Sequence, residues 1–215
     1  MIEASARIVS VNVGQPRAVQ YRGKTIRTSI WKSPVEGRHT VEGVNIVGDD
    51  QADRSVHGGR DKAIYAYASE DYAWWATELE QEMGPGTFGD NLTTSGVDVT
   101  NAIVGERWRA GTALLEVCQP RTPCFKLGLR MGSQRFPRRF SIAERPGTYL
   151  RIIEAGEVWA GAPIERSAIP EHGLTIRDIA HTHYAEPERA GELLRAPELP
   201  EAWAKWARKR SRTAL

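Results

Sequence analysis

A chain of 215 residues with 40% hydrophobic and 26% charged residues has the composition of an ordinary globular protein: one large domain, or one domain with a small appendage. Its formal net charge of +2 is too small to indicate nucleic-acid binding by itself. Cys118 and Cys124 are its only cysteines, which excludes a disulfide framework, and the sequence has no CxxC or Cys/His cluster of the kind that holds structural zinc.

The first 30 residues carry several charges and lack the apolar core of a signal peptide. No stretch comes near the roughly 20 apolar residues of a membrane helix. We therefore expect a protein of the reducing cytoplasm, without a membrane partner, in which Cys124 stays a free thiol.

The first 165 residues contain short strand-like runs separated by Gly, Pro, Asp and Asn. This spacing predicts a mainly β barrel or sandwich. The predicted strands cover residues 6–13, 25–31, 41–47, 63–68, 113–118, 148–154 and 157–159.

One amphipathic helix interrupts the strands. Ser69 is a good N-cap, acidic residues follow in the first turn, and an apolar stripe continues to Met83, before the helix-breaking sequence at 84–86. A second helix is predicted over residues 123–129, with Pro123 at its first position.

The character of the chain changes at residues 162–173, which read as a linker. Three helices are predicted after it, over residues 176–184, 187–194 and 201–209, the first with a capping box from Thr175 and Asp178. The predicted domains are residues 1–165 and 170–215. The second is too small to be stable unless it docks on the first.

Residues 121–127, RTPCFKL, place a cysteine in a reactive setting. In the first turn of a helix, Cys124 would face unpaired backbone N–H groups and the positive end of the helix dipole. Arg121 and Lys126 add two nearby cations. These influences favour the thiolate, which binds soft metals and acts as a nucleophile, although a free cysteine is most often a small buried hydrophobic residue. We interpret Cys124 as a functional thiol.

Residues 53–62, DRSVHGGRDK, form a second dense segment. Gly58 and Gly59 can expose consecutive N–H groups to an anion. His57, Arg60 and Lys62 can supply positive charge for a phosphate or a pterin-like ring system. Taken alone, the segment is more typical of a polar turn leading into a strand.

Residues 88–94, FGDNLTT, contain a third candidate. Asp90 and Asn91 can present a carboxylate and an amide to a substrate or a metal-bound oxygen, but the local sequence is more typical of an Asx turn. Arg121 follows a predicted strand, where it can clamp a phosphate or remain a surface charge.

Five blocks in this order resemble the MOSC-domain family, which is named after the C-terminal part of molybdenum-cofactor sulfurases. The resemblance is greatest to its stand-alone bacterial YiiM type, which also has a C-terminal three-helix (3-alpha) domain, so it covers nearly the full length. Five ordered blocks are far more specific than any one of them. They are 31–35 (WKSPV), 48–54 (GDDQADR), 57–63 (HGGRDKA), 88–92 (FGDNL) and 119–127 (QPRTPCFKL).

The resemblance implies a mainly β fold with helices, a MOSC-type β-barrel followed by a small three-helix bundle, and a molybdenum cofactor (molybdopterin). It implies that Cys124 is the molybdenum ligand and that the activity is the reduction of N-hydroxylated compounds, notably hydroxylaminopurine-type base analogues, to amines. We expect Asp90 or His57 to donate a proton and an electron-donor protein to be a partner. The expected cofactor-binding residues are Lys32, His57, Gly58, Gly59, Arg60, Lys62, Asn91, Arg121 and Lys126.

Two positions depart from the family's pattern. Members often have His where this chain has Val56, and Pro is common where Arg60 stands. The turn around Gly58 and Gly59 can therefore be shaped differently here, whereas the cysteine block is unaffected.

Two other functions stay open. Cys124 can carry a persulfide, as a sulfur carrier or transferase. The chain can also be a non-enzymatic module that binds nucleic acid or a protein. A pyridoxal-phosphate Schiff base on Lys62 or Lys126 is a family association that we do not favour, because such a module does not need that lysine.

The binding-module alternative rests on basic and aromatic residues near the C-terminus. We favour a structural reading, in which the cations complement a helix dipole and the tryptophans dock the helices, so nucleic acid is an unlikely partner. The exposed charge also makes this segment a candidate docking site for the electron donor. The basic and aromatic residues of this C-terminal segment are Trp203, Lys205, Trp206, Arg208, Lys209, Arg210 and Arg212.

Overall fold

The computed structural model describes residues 5–52 and 58–213. In these ranges the chain forms thirteen strands, five α-helices and two 3-10 segments, the latter at Arg60–Lys62 and Pro187–Arg195. The strands are β1 (Arg7–Val13), β2 (Arg17–Tyr21), β3 (Lys24–Thr28), β4 (Ser33–Val35), β5 (His39–Glu42), β6 (Asn45–Ile46), β7 (Ile64–Ala68), β8 (Leu92–Ser95), β9 (Arg107–Ala110), β10 (Ala113–Pro120), β11 (Thr148–Glu154), β12 (Gly156–Val158) and β13 (Ile164–Ser167). The helices are α1 (Ser69–Leu79), α2 (Phe125–Arg130), α3 (Phe136–Ile142), α4 (Ile176–Tyr184) and α5 (Glu201–Thr213).

A mixed eight-stranded sheet organises the fold, in the order β13-β9-β10-β11-β7-β8-β1-β4. Its ladders are antiparallel except for β7 and β8, which pair in parallel. Helix α1 lies between these two strands in the chain, as a parallel pair requires a crossover connection. Strands β12, β5 and β6 form a second sheet, and β2 and β3 form a separate hairpin.

The main sheet is open, so the predicted closed barrel is wrong. Its two end strands, β13 and β4, do not pair with each other. The nearest approach to closure is an isolated bridge between Arg7 and Pro163, supported by a 2.9 Å hydrogen bond from Ile8 N to Ala162 O. Gly161 N and Ile164 N also donate across this contact, to Ile8 O at 2.8 Å and Ala6 O at 2.9 Å, but in the described residues the pairing does not extend into a ladder with β13. The fold is therefore mixed α and β around an open sheet.

Most predicted strands are confirmed with shifted ends, and two predictions need correction. The run over residues 41–47 is two short strands, β5 and β6, joined by a tight turn in which Gly43 has a φ of 59°. The predicted linker over residues 162–173 contains β13, which pairs with β9. Only Ile164 of β13 is buried, so its sequence carries a weak strand pattern.

Most helices begin and end at slightly different residues from those predicted, and the second of the three predicted C-terminal helices is the 3-10 segment Pro187–Arg195. Helix α1 has Ala68 as its N-cap and stops at Leu79, because Glu80 takes a left-handed conformation with a φ of 50°. Helix α2 begins at Phe125, so Cys124 is its N-cap residue and lies just before the first turn.

The C-terminal helices pack on the sheet. The predicted capping box of α4 is confirmed: Asp178 N donates to Thr175 Oγ1 at 3.0 Å, and Thr175 N donates to Asp178 Oδ2 at 2.9 Å. Ile179 of α4 and Trp203 of α5 belong to the same buried cluster as Leu115 of β10. The division into domains at 165 and 170 stays a prediction. Among the described residues, no helix combines the length and apolar character needed to cross a bilayer.

Candidate functional site

A pocket lies where the end of the β2–β3 hairpin meets β7 and the segment that follows β10. Its empty space is about 620 Å³, including the part open to solvent. Six of the residues predicted to form the site line this pocket together, although they come from distant parts of the chain. They are Lys32, Lys62, Asn91, Arg121, Cys124 and Lys126.

The two cysteines have different environments. Cys124 is half-buried and lines the pocket. Cys118 lies inside β10, where its Sγ donates to Asp61 O at 2.9 Å and to Tyr149 O at 3.2 Å, and burial raises its pKa well above that of an ordinary thiol. Cys124 is therefore the thiol available to a ligand, and Cys118 is a structural residue.

Lys32 is fixed in the pocket wall by an ion pair with Asp49. Their side chains are only 8% and 1% exposed. Asp49 also accepts hydrogen bonds from Gly14 N and from Asn91 Nδ2, both at 2.8 Å. Burial lowers the pKa of Lys32, and the Asp49 carboxylate opposes this effect. The ammonium group is thus held in place by a carboxylate that has three donors.

Arg121 directly follows β10, as predicted, and is buried. Its guanidinium donates to the carbonyl of Phe88 and lies 5.1 Å from the centre of the Tyr65 ring. Tyr65 is held in turn by a 2.8 Å hydrogen bond from its hydroxyl to Pro146 O. This environment gives a permanent positive charge a fixed position beside Cys124.

Lys62 enters the pocket from the 3-10 segment Arg60–Lys62. Gln51 holds this segment, since its Nε2 donates to Lys62 O at 3.0 Å and its Oε1 accepts from Gly59 N at 3.1 Å. Burial lowers the pKa of Lys62. Its ammonium is therefore a stronger acid than that of an exposed lysine.

Several predicted residues are not part of the pocket lining. Gly59 has the expected positive φ, 91°, but Gly58, Gly59 and Arg60 lie outside the lining and Arg60 is exposed. His57, with the rest of residues 53–57, lies outside the described residues. The cofactor-binding roles of these four residues stay predictions.

Asp90 is enclosed beneath the pocket and does not line it. The residue is fully buried, and its carboxylate accepts from Tyr72 Oη at 2.5 Å, Thr93 Oγ1 at 2.7 Å and Asn12 Nδ2 at 3.3 Å. Burial raises its pKa. Its neighbour in the chain, Asn91, lines the pocket, whereas the Asp90 carboxylate is occupied by Tyr72, Thr93 and Asn12. Its role as a proton donor stays a prediction.

The other ten residues of the pocket lining were not predicted as site residues, and three of them are polar groups that matter for the chemistry. Asp49 stood within one of the quoted blocks but was not selected, and Tyr149 and Ser29 carried no local signal. The Ser29 hydroxyl is buried without a hydrogen-bond partner among the described residues, although Ser29 lines the pocket. Such an atom is costly unless something satisfies it, so a polar ligand is a natural partner.

The pocket therefore combines one accessible thiol with four cationic side chains, those of Lys32, Lys62, Arg121 and Lys126. Asp49 and Asp50 also line the pocket, so four cations face two carboxylates and the formal excess is two positive charges, which suits an anionic ligand such as a phosphate. The thiol suits a soft metal or a sulfur atom. No group of three or more His, Cys, Asp or Glu residues able to hold a metal occurs in the described ranges.

Comparison with known proteins identifies the family of the chain. The family model described as "MOSC domain" matches residues 53–165. The chain is 32% identical to YflK of Bacillus subtilis over 209 residues, which are 95% of each protein. It is also 28% identical over 182 residues to a protein of Gibberella moniliformis named "Reductase", covering 83% of this chain but 32% of that protein.

The fold is similar to a solved structure as well. The crystal structure of YiiM from Geobacillus stearothermophilus superposes with a TM-score of 0.79 at 30% identity, covering 95% of this chain and 98% of the other. The family model matches more than half of the chain, and both the sequence and the fold agree over nearly all of it. The chain therefore belongs to the MOSC domain family and is of the YiiM type.

Proposed function

We propose that this chain is a molybdenum-cofactor-dependent reductase of N-hydroxylated compounds, with Cys124 as the molybdenum ligand. The observation that carries the proposal is the position of Cys124 in one pocket with four cationic side chains. Hydroxylaminopurine-type base analogues are the proposed substrates and the corresponding amines the products.

The residues of the pocket fit this cofactor. A pterin-bound molybdenum cofactor brings a phosphate and a soft metal, which match the cations and the thiol respectively. The unsatisfied Ser29 hydroxyl offers one further hydrogen bond to a polar ligand. When bound, the cofactor would supply the two-electron redox chemistry, while the protein supplies binding and orientation.

The proposed reaction consumes two electrons and two protons. The N–O bond of R–NHOH breaks, an N–H bond forms, and R–NH₂ and water leave. Lys32 and Arg121, each held by neighbouring groups, would bind the anionic parts of the cofactor. Asp90 and His57 are the proton donors predicted from the sequence, and Lys62 is a further candidate because burial makes its ammonium more acidic.

The comparisons support the proposal at a coarser level. Membership of the MOSC domain family is consistent with a function related to the molybdenum cofactor, and a relative named "Reductase" is consistent with reductive chemistry. The substrate, the cofactor and the residue roles are proposals.

The test is turnover of hydroxylaminopurine, with reduced methyl viologen as the electron source, by protein made in a host that synthesises the cofactor. We expect Cys124→Ala to abolish amine formation. Cys118→Ala is the matched control, because within the described residues the Cys118 thiol bonds only to backbone carbonyls, those of Asp61 and Tyr149. Comparable turnover by wild type and Cys124→Ala would refute the proposed role of Cys124.

The same preparations distinguish the sulfur-carrier alternative. Mass spectrometry that finds an additional sulfur atom on Cys124, in protein without molybdenum and without turnover, would replace the reductase by a persulfide carrier. Turnover that survives in Asp90→Asn with unchanged metal content would remove Asp90 from the proton donors.

A further inference from the structure

Two segments of the chain contain no acidic residue. Residues 4–35 and 117–143 together hold twelve of the 29 lysines and arginines and none of the 27 aspartates and glutamates. Because the chain as a whole carries a net charge of only +2, the remaining residues are strongly acidic. The small net charge therefore conceals a marked separation of charge.

The fold brings the two acid-free segments together. Tyr21, at the tip of the β2–β3 hairpin, stacks on Phe125 of α2 with ring centres 4.7 Å apart. Next to it, Arg22 donates to Gln134 Oε1 at 3.1 Å. The hairpin thus lies against the α2–α3 segment, and cations of both segments flank the contact. We name them the basic rim, which consists of Arg17, Arg22, Lys24, Arg130, Arg135 and Arg138; Arg27 is not included, because the pairing of β2 with β3 places it on the opposite face of the hairpin from Arg17 and Lys24.

The charges of the basic rim have no acidic partner in the described part of the chain. Five of its members are exposed, and none of the six forms an ion pair within residues 5–52 and 58–213. Burial lowers the pKa of the half-buried Arg130, and the charge of Arg17 acts in the same direction. Anions of a partner would relieve this repulsion.

The basic rim borders the mouth of the pocket. Thr28, the last residue of the hairpin, lines the pocket, and so does Lys126 of α2. Cys124 is only one residue before Phe125, on which the hairpin rests. A partner bound to the basic rim would therefore lie close to the proposed redox centre.

We propose that the basic rim is the docking surface for an acidic electron-donor protein. This rests on the proposed function, in which each reduced N–OH group consumes two electrons that a carrier protein must deliver. The carrier is oxidised, its electrons enter through the pocket, and the two protons come from solvent by way of the proton donor of the proposed reaction. A positive surface beside the pocket would speed association with an acidic carrier and orient it.

A single-stranded nucleic acid fits the basic rim less well. Such a ligand needs free aromatic faces on which its bases stack. Here Tyr21 and Phe125 stack on each other, and the Trp31 ring is covered by the Arg17 guanidinium at 3.7 Å. A small substrate would also contact only part of a surface that spans a hairpin and two helices.

The C-terminal helix α5, the other candidate docking site, has its cations partly neutralised. Arg208 and Lys205 both pair with Glu201, at 3.2 Å and 4.0 Å. Trp203 is buried against the sheet, where its Nε1 donates to Gln119 Oε1 at 2.8 Å. This helix provides a matched control, since Arg210 and Arg212 are exposed and distant in sequence from the basic rim.

The test compares Arg22→Glu/Lys24→Glu with Arg210→Glu/Arg212→Glu, which change the net charge equally. The cofactor-loaded proteins are assayed at low ionic strength with reduced flavodoxin, an acidic carrier, and with reduced methyl viologen, a cationic dye. We expect the hairpin variant to lose about tenfold in kcat/KM with flavodoxin. Its turnover with the dye and its molybdenum content stay at the wild-type level, and the control variant resembles wild type with both donors. Added salt screens the charges and therefore reduces the difference in kcat/KM with flavodoxin between wild type and the hairpin variant.

Three results would overturn the proposal. In the first, the hairpin variant has the same kcat/KM with flavodoxin as wild type. In the second, the control variant loses as much of this kcat/KM as the hairpin variant. In the third, the hairpin variant keeps its flavodoxin rate but loses affinity for single-stranded DNA. Failure of the proposed function looks different, because turnover with methyl viologen is then absent from every protein, wild type included. In that case, anisotropy of labelled flavodoxin still reports on the basic rim: binding unchanged by the hairpin substitutions would refute docking there.

Discussion

The ion pair between Lys32 and Asp49 allows the structure of the pocket to be tested by stability measurements. Substitution of Asp49 by Asn removes the only carboxylate that pairs with the Lys32 ammonium in the described part of the chain. Since the Lys32 side chain is 8% exposed, its charge would then be buried without compensation. Breaking a buried pair in this way costs about 3–5 kcal/mol.

The two partners should respond unequally. In Lys32→Met, the Asp49 carboxylate keeps its hydrogen bonds from Gly14 N and Asn91 Nδ2. Hydrogen bonds to a charged group contribute about 1.5–3 kcal/mol each, so Lys32→Met costs less than Asp49→Asn. The double variant removes both charges, and we expect it to be more stable than Asp49→Asn alone.

The pH dependence provides a second test of the same pair. Burial lowers the pKa of Lys32, so the unfolded chain binds this proton more tightly than the folded one. The free energy of unfolding therefore rises with pH from the folded pKa of Lys32 up to its unfolded value near 10.5. Without Asp49 the folded pKa falls further, and this rise begins at a lower pH.

Urea unfolding of the four proteins from neutral to alkaline pH measures both effects. Two results would refute the reasoning: a loss below about 1 kcal/mol in Asp49→Asn with wild-type pH dependence, or a double variant less stable than Asp49→Asn. Either would mean that Lys32 is solvated and is not held by Asp49.

Two further predictions concern buried polar groups. Trp203→Phe leaves Gln119 Oε1 without its donor, so we expect a loss of about 1–3 kcal/mol in urea unfolding. Trp206→Phe keeps that hydrogen bond and is the control; equal losses in both would contradict the assignment. Arg166→Gln removes the cation from the fully buried Glu106 carboxylate. Burial raises the pKa of Glu106, but its hydrogen bonds, first that from Arg166, outweigh this effect, so the pKa of Glu106 in the folded protein is lowered. The ionised Glu106 therefore stabilises the folded protein, and this stabilisation is lost as the pH falls through the folded pKa. In acid titrations, the free energy of unfolding of the variant should therefore begin to fall at a higher pH than that of wild type. The same dependence on acid pH in both proteins would contradict this prediction.

The chemistry of the pocket could be predicted from short motifs because each predicted lining residue lies in one. Cys124, Lys126 and Arg121 fall in a single block, and the strand before them and the helix after them were recognisable. Asp49 was missed because its role depends on Lys32 and Gly14, which only the folded chain brings near it.

The closed barrel was a wrong prediction because closure is a long-range property. Alternating strands indicate a sheet but do not say whether its ends pair. Here the end strands β13 and β4 do not pair, and residues 161–164 approach residues 6–8 through an isolated bridge of Arg7 with Pro163 and the hydrogen bonds beside it. The short β13 escaped detection for a related reason, since only one of its four residues is buried.

The basic rim shows another limit of composition. A net charge of +2 gave no reason to expect a charged surface, because acids elsewhere in the chain balance the cations. The distribution of charged residues along the sequence did indicate such a surface, because two segments contain no acidic residue. The contact of these segments through Tyr21 and Phe125 is a property of the fold.

The most direct test of the central claim is the molar ratio of molybdenum to protein after expression in a host that synthesises the cofactor. We predict a ratio near one for wild type and for Cys118→Ala, and loss of most of the molybdenum in Cys124→Ala, with all three proteins folded by circular dichroism. Equal molybdenum content in wild type and Cys124→Ala would contradict Cys124 as the ligand, and absence of molybdenum from all three would contradict a cofactor-dependent function.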